Sequence, residues 1–401
     1  MERTVLHSDM NNFFASVECL SRPEIRFKPV IVCGKTEDRH GIVLAKNNVA
    51  KRLGVSTGEP IKQADKKCGG AVKINPDFDK YVLYSKIAGE IYNEYTDQVE
   101  SFGIDECWLE ISGGSKFGEA AANDIRRRIK KETGLTVSIG VSFTKTFAKL
   151  CSDLKKPDAV TSVRRSDFRE KIWPLPCNAL LGVGDVTNRK LNSLYIHTIG
   201  DLAQSQPSFL SSRLGKNGKQ LWAYANGYDT SPISYFGESI PLKSISNGMT
   251  IGNDLYANEQ IRAMVGILAD GAAMKLRSQN AVCKTVGVNF RTTDLNYIQR
   301  QIRLDSYTDI SSVITKAAYD IYKQSFPEPH IFRSLTVRLS DLVPKSRVYS
   351  QTDLFGFEEN LTRAGQLDCA VDEIRNKFGT DSVIRGSALC LNCQNIGRKI
   401  P

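Results

Sequence analysis

Apolar side chains recur along this chain with two periods, and the switches between them predict its elements. Thr4 to Asp9 (TVLHSD) is a short strand-like run, and Leu135, Val137, Ile139 and Val141 alternate with small or polar residues, as strand positions do. Between them Phe78, Tyr81, Ala88, Ile91 and Tyr95 fall at helical spacing. VESFGI and CWLEI then read as short strands flanking Asp105-Glu106, and Phe117, Ala121, Ile125 and Ile129 mark a second amphipathic helix. The order strand, helix, hairpin, helix, strand predicts a ferredoxin-like split sheet, with residues 11 to 75 inserted after its first strand as a small basic subdomain.

Residues 164 to 229 read as helical, broken at LLGVGD and LGKNGK by what look like tight glycine turns between helices. After the polar stretch SPISYFGESIPLKS the first pattern returns. A strand near Asn247 precedes a helix carrying Ile261, Val265, Leu268, Ala272 and Leu276; strands at 285 to 291 and 297 to 304 precede a helix with Ile310, Val313, Ala317 and Ile321, and a strand closes the unit at 334 to 339. Side chains alternate across a strand, so Val286, Val288, Phe290, Leu335, Val337 and Leu339 share one face. The other face carries Asn289, Arg291, Gln299, Gln301, Arg303, Thr336 and Arg338, and two helices can cover only the apolar side. The fold class expected is α+β.

Composition narrows the partners. With 401 residues and 41% hydrophobic content the chain can build several cores. Lys and Arg number 54 against 44 Asp and Glu, a net charge of +10 that favours a polyanion such as nucleic acid. The surplus is densest over residues 164 to 233. No run approaches about 18 consecutive apolar residues and the start lacks a signal-peptide pattern, so a cytoplasmic protein without a membrane partner is expected. Ten cysteines without framework spacing read as reduced thiols.

Three carboxylates supply candidate chemistry. Asp9 ends an apolar strand, and Asp105 and Glu106 sit at the junction of two strands of the same sheet, so all three can converge on one edge. Crowded like charges are commonly relieved by divalent cations on oxygen ligands, and two ions roughly 4 Å apart suit phosphoryl transfer. Taken alone, the same residues also fit a solvated hairpin turn and a strand-end cap.

The blocks around them, HSDMNNFFASVE, GIVLAKNNVAKRLGV, FGIDECWLEIS, IGVSFTKTFAKLCSDLKKPD and LLGVGD, occur in an order and spacing that resemble the Y-family DNA polymerases of the DinB type over nearly the whole chain. The resemblance implies a right-hand polymerase: a palm at 1–10 and 76–163, fingers at 11–75, a helical thumb at 164–233, a linker at 234–244, a little finger at 245–343 and a C-terminal extension at 344–401. It implies a low-fidelity, translesion enzyme without proofreading that adds dNTPs to a primer-template, acting as a monomer. Asp9, the Met10 carbonyl, Asp105 and Glu106 match the site for two Mg²⁺, for which Mn²⁺ can stand in, with Asp9, Asp105 and Glu106 the catalytic set. Phe13, Phe14, Asn48, Lys51 and Lys156 fall on the nucleotide side, Phe14 as the steric gate against a ribose 2′-hydroxyl and Lys156 as the triphosphate lysine. Asn48 and Lys51 depart from the family's usual Tyr and Arg, which predicts weaker dependence on them, with Lys46 or Arg52 compensating. Asn11 stands where the family often has a second Asp.

Gly182-Val183-Gly184 resembles a helix-hairpin-helix turn that grips a DNA phosphate through backbone N–H groups, and Arg291, Arg303 and Arg338 are expected on DNA. Gln351, Leu354 and Phe355 resemble the peptide that docks on a sliding clamp, with a helix through Leu367, Val371 and Ile374 following. The lone Cys390/Cys393 pair lacks partners for zinc, and Lys66-Lys67, Arg126 to Arg128 and Lys130-Lys131 read as solvated charges. Two rival readings stay open: a two-metal nucleotidyl cyclase, and a clamp-recruited DNA-binding scaffold with an inactive palm.

Overall fold

A computed structural model of the chain describes residues 3–34, 41–238, 241–328, 330–348 and 357–386. Two compact units, Met1–Ser239 and Ile240–Pro401, each bury a core of their own. The first opens with β1 (Val5–Met10) and α1 (Phe13–Ser21). A small three-stranded sheet follows from β2 (Val30–Cys33), β3 (Val43–Lys46) and β4 (Val72–Ile74), with α2 (Asn48–Arg52) and α3 (Ile61–Lys67) beside it.

Next come α4 (Phe78–Asn93), β5 (Val99–Ser101), β6 (Glu106–Glu110), α5 (Ser115–Thr133), β7 (Val137–Ser142), α6 (Lys145–Leu154) and β8 (Val160–Ser162). The main sheet runs β5-β6-β1-β7-β8, which is the expected split order with one more strand, β8, added parallel to β7. All six residues of both β1 and β7 are buried, because α5 covers one face of the sheet and α6 the other. Gly140 makes the second layer possible: a Cβ there would lie 1.9 Å from the Ala148 carbonyl oxygen on α6.

In α5 the expected stripe holds at Ile125 and Ile129, with Ala121 packed against the core, but fails at Phe117. Gly118, Ala122, Ile125 and Ile129 face the core, while Phe117 is 68% exposed and lies over Gly113, whose φ of +103° makes the turn before the helix. Gly118 is in the stripe because a Cβ would come within 2.4 Å of the Thr4 side chain. In α4, Tyr81, Ala88 and Ile91 are buried as expected, but Phe78 is largely exposed and Tyr95 lies past the helix end. The unit ends in α7 (Phe168–Ile172), α8 (Asp185–Ser193), α9 (Ile199–Gln204), α10 (Pro207–Leu214) and α11 (Lys216–Ala225). Gly215 (φ +64°) separates α10 from α11, as the LGKNGK turn predicts. The LLGVGD turn is preceded by a single 3₁₀ turn, Cys177–Ala179, rather than a full helix.

The second unit contains β9 (Ser244–Leu255), α12 (Asn258–Ser278), β10 (Ala281–Thr292), β11 (Tyr297–Thr308), α13 (Ser311–Ser325), β12 (Phe332–Ser340) and α14 (Phe357–Phe378). Its element order repeats that of the first unit, but its sheet runs β11-β10-β12-β9, with the first strand at an edge instead of the centre. Val286, Val288, Phe290, Leu335, Val337 and Leu339 are fully buried against α12 and α13. On the opposite face Asn289 pairs with Gln299 and Thr336, and Gly287 with Gln301 and Arg338, so a polar strip crosses three strands.

The C-terminal helix is held by charge. Arg277 of α12 makes a bidentate pair with Asp372 (2.6 and 3.0 Å) and reaches Asp368, while Asp270 accepts from Arg375 and Arg385. Asp368, only 4% exposed, also accepts the Ser311 N–H. The helix expected through Leu367, Val371 and Ile374 is present, with Leu367 and Ile374 exposed. Gln351, Leu354 and Phe355 lie outside the described residues, as do Cys390 and Cys393. The eight described cysteines are free.

Candidate active site

Backbone pairing brings the acidic residues to one sheet edge. Asp9 and Glu106 are directly opposed partners of β1 and β6, and the Met10 N–H donates to the Asp105 carbonyl at 3.0 Å. Gly103 (φ +97°) turns the chain between β5 and β6, and the Phe102 N–H closes this turn on the Glu106 carbonyl. Asp105 therefore sits at the tip of a tight hairpin and Glu106 at the first position of a strand.

The side chains are not gathered into one coordination sphere. Among the described residues no cluster of three or more His, Cys, Asp or Glu side chains is placed to hold an ion. Each strand carboxylate instead meets an ammonium: Asp9 accepts from Lys156 at 2.7 Å, and Glu106 is paired with Lys149. Lys156 also reaches Asp153 at 2.8 Å. The fully buried His7 lies with Nε2 3.3 Å from Glu106 and Nδ1 2.9 Å from Ser152 Oγ.

Electrostatics nonetheless register three carboxylates crowded together. Burial, then repulsion from Asp9 and Glu106, pushes Asp105 up to about 6. Burial also raises Asp9, against the pull of Lys156. For Glu106 burial is outweighed by His7 and Lys149, which bring it down to about 2. Hard oxygen donors under mutual repulsion are a donor set that suits a divalent cation, so the residues fit the ion that the resemblance implies. A protonated Asp105 cannot ligate, so affinity is lost as pH falls through about 6. In Mn²⁺ titrations of the DNA-free protein followed by electron paramagnetic resonance, affinity is expected to weaken about tenfold per pH unit below that point. Asp105→Asn is expected to flatten the dependence.

The loop carrying Lys156 is tied down by residues outside the carboxylate set. Asn11 donates to Ser138 Oγ (2.9 Å) and accepts the Asp158 N–H (2.8 Å), so both ends of its carboxamide are engaged. Arg126 and Lys130 both grip Asp158, at 2.8 and 2.7 Å. These two are bracing residues rather than the freely solvated charges expected.

The aromatic pair divides as its adjacency requires. Phe13 is buried in the core, whereas Phe14 is partly exposed and stacks on Tyr81 with centroids 4.2 Å apart and planes 8° apart. Asn48 begins α2 and accepts from Asn12 at 3.0 Å, which ties α2 to the turn before α1. Lys51 is exposed on α2. Its charge, after burial, is one cause of the lowered affinity of Lys46 for its proton, and Lys46 donates to Thr57 at 2.9 Å.

Residues 8–153 match the impB/mucB/samB family, residues 242–354 its C-terminal domain and residues 178–229 a thumb domain described for DNA polymerase iota. A DNA polymerase IV of Acetivibrio thermocellus is 49% identical over 97% of this chain and 98% of its own length. The chain belongs to this family, the Y-family DNA polymerases. DNA polymerase IV 1 of Bacillus subtilis is 33% identical, with 96% of this chain and 93% of the relative covered. Among solved structures, a Y-family polymerase chimera of Dbh and Dpo4 shares the fold, with a TM-score of 0.76 at 23% identity over 85% of this chain and 99% of that one. An insertion ternary complex of Dbh DNA polymerase gives 0.60 at 21%, over 85% and 99%. Membership implies use of a divalent metal and action on DNA with nucleotide.

Elsewhere in the polymerase, Gly182 has φ +91°, Val183 is buried and Gly184 is the N-cap of α8. α8 ends at Ser193, so Ile199 belongs to the next helix. Arg303 and Arg338 are exposed on the polar strip, and Arg291 lies 4.9 Å over the Tyr297 ring. No helix among the described residues is long and apolar enough to cross a membrane.

Sequence reasoning missed Lys149, His7, Tyr81's ring partnership and Gly140. A glycine inside an otherwise apolar buried strand is a signal of close backbone approach, and it was available for Gly140. A lysine one turn along from buried Thr146, on a helix with most of its residues buried, could have marked Lys149.

Proposed function

We propose that this chain, a DNA polymerase of the translesion type, joins a primer 3′-hydroxyl to the α-phosphate of a template-selected dNTP and releases pyrophosphate. The observation that carries the reading is the direct pairing of Asp9 with Glu106 on adjacent strands, with Asp105 bonded through its carbonyl to Met10. Asp9, the Met10 carbonyl, Asp105 and Glu106 would hold two Mg²⁺, with Mn²⁺ able to replace them. When bound, such ions activate the attacking hydroxyl and neutralise charge on the phosphates.

The chain's own residues supply the remaining roles. Lys156 is held charged by Asp153 and Asp9 although burial opposes this, and it can receive the triphosphate as it leaves Asp9. Phe14 forms the wall beside the sugar, and Phe13 fixes α1 in the core beneath it. Lys51, with Lys46 beside it, offers a secondary positive edge, and Asn48 positions the insertion more than it binds phosphate. In this reading residues 1–10 and 76–163 are palm, 11–75 fingers, 164–233 thumb, 234–244 linker and 245–343 little finger.

Gly182 to Gly184 then present helix-start N–H groups to a DNA phosphate, while Arg291, Arg303 and Arg338 line the duplex. The extension 344–401 carries Gln351, Leu354 and Phe355 for a sliding clamp. We take the working form to be a cytoplasmic monomer. The test is primer extension with Mg²⁺ and single dNTPs: templated one-nucleotide addition supports the reading. DNA binding without addition would favour a scaffold, and a cyclic nucleotide formed without primer would favour a cyclase.

A further inference from the structure

We infer that Glu18 is a positioning residue for sugar discrimination, fixing through Tyr81 the ring plane against which Phe14 rests. The inference rests on the reading of Phe14 as the wall beside the sugar. Glu18 lies one helical turn after Phe14 on α1 and is 1% exposed. The Tyr81 hydroxyl, brought in by α4, donates to Glu18 Oε1 at 2.8 Å. The second carboxylate oxygen faces Lys80 Nζ at 3.7 Å, so both oxygens have a partner. Burial, and beyond it the Glu18 carboxylate, keeps the phenol proton in place.

These contacts close a triangle. Phe14 stacks on Tyr81, Tyr81 bonds to Glu18, and the backbone of α1 joins Glu18 to Phe14. Phe78, edge-on to both rings at 5.8 Å, and Phe13, tilted against both, complete the aromatic block. An aromatic stack restrains separation well but resists sliding poorly, because offset arrangements differ little in energy. The hydrogen bond supplies the missing in-plane restraint. Rejecting one extra hydroxyl depends on where a ring edge stops, so a small slide of Tyr81 would let Phe14 recede from the sugar.

The test compares kcat/KM for each rNTP and its dNTP in single-nucleotide primer extension with Mg²⁺. Tyr81→Phe keeps the ring and removes the donor; Glu18→Leu removes the acceptor; Glu18→Gln restores an acceptor of the same reach. Phe14→Val reports on the gate itself. We expect the rNTP to dNTP ratio to rise about tenfold in Tyr81→Phe and Glu18→Leu, from a discrimination for one hydroxyl that is itself on the order of a hundredfold. In Glu18→Gln it should stay near wild type. A merely structural role would lower both nucleotides together and leave the ratio unchanged. If Phe14→Val relaxes discrimination while Tyr81→Phe does not, the positioning role of Glu18 is overturned and the gate stands. If Phe14→Val fails to relax it, the gate reading falls and the inference with it.

Discussion

Primer extension by the Asp105→Asn–Glu106→Gln double variant is expected to fall by at least about a thousandfold, since electrostatic and metal-assisted stabilisation is commonly the largest single contribution to such reactions. The structure says why amides are the right replacement. Truncation to alanine would leave Lys149 part-buried without its Glu106 partner, whereas glutamine retains an oxygen for that ammonium and removes only the charge. Asp105→Asn relieves repulsion, whereas Glu106→Gln gives up a charged pairing with Lys149 and His7, so the protein should stay folded at some cost in stability while primer-template affinity stays close to wild type. Those two controls separate lost chemistry from lost structure. Extension within about tenfold of wild type would sink the assigned site, because no catalytic carboxylate pair would then be required.

Lys156→Ala is expected to cut kcat/KM for dNTP by about a hundredfold or more, the scale on which a single preorganised donor to a developing anion acts. Lys51→Ala should leave it nearly unchanged. The contrast follows from position. Lys156 is half-screened from water and spans Asp9 and Asp153, so its charge works in a low-dielectric setting, while Lys51 is exposed on a short helix with Lys46 nearby. Removing Lys156 also frees Asp9, so Mn²⁺ affinity measured without nucleotide should hold or rise while dNTP affinity drops. A large loss in Lys51→Ala alone would reverse the assignment and restore the insertion as the principal triphosphate contact.

The main sheet and its hairpin were legible because β7 obeys the period of two, β6 is a short apolar run, and the turn at Phe102 to Asp105 contains its glycine. The polar strip of the second unit was legible for the same reason. β8 was not, since Val160–Ser162 is too short to carry a pattern and owes its existence to the ladder that β7 offers. Strand order was equally hidden: identical element orders give a central first strand in one unit and an edge one in the other. The start of α5 was misplaced because Phe117 looks like core, and only the crowding at Gly118 shows which residue of the first turn faces inward.

At the site, the residue types pointed to the right edge, but not to the lysines that pair with Asp9 and Glu106. Charge pairing across a fold has no period and leaves no local mark. The same applies to Asn11: its exchange of a carboxylate for a carboxamide looked inconsequential until both ends of the amide were seen engaged.

The arginine–aspartate anchoring of α14 implies an unusual denaturation profile for that segment. Little apolar surface is uncovered when Arg277 lets go of Asp368 and Asp372, so detachment should depend only weakly on urea, whose effect scales with newly wetted area. Guanidinium chloride is itself an electrolyte and should unfasten the same helix at concentrations where the rest of the unit is still intact.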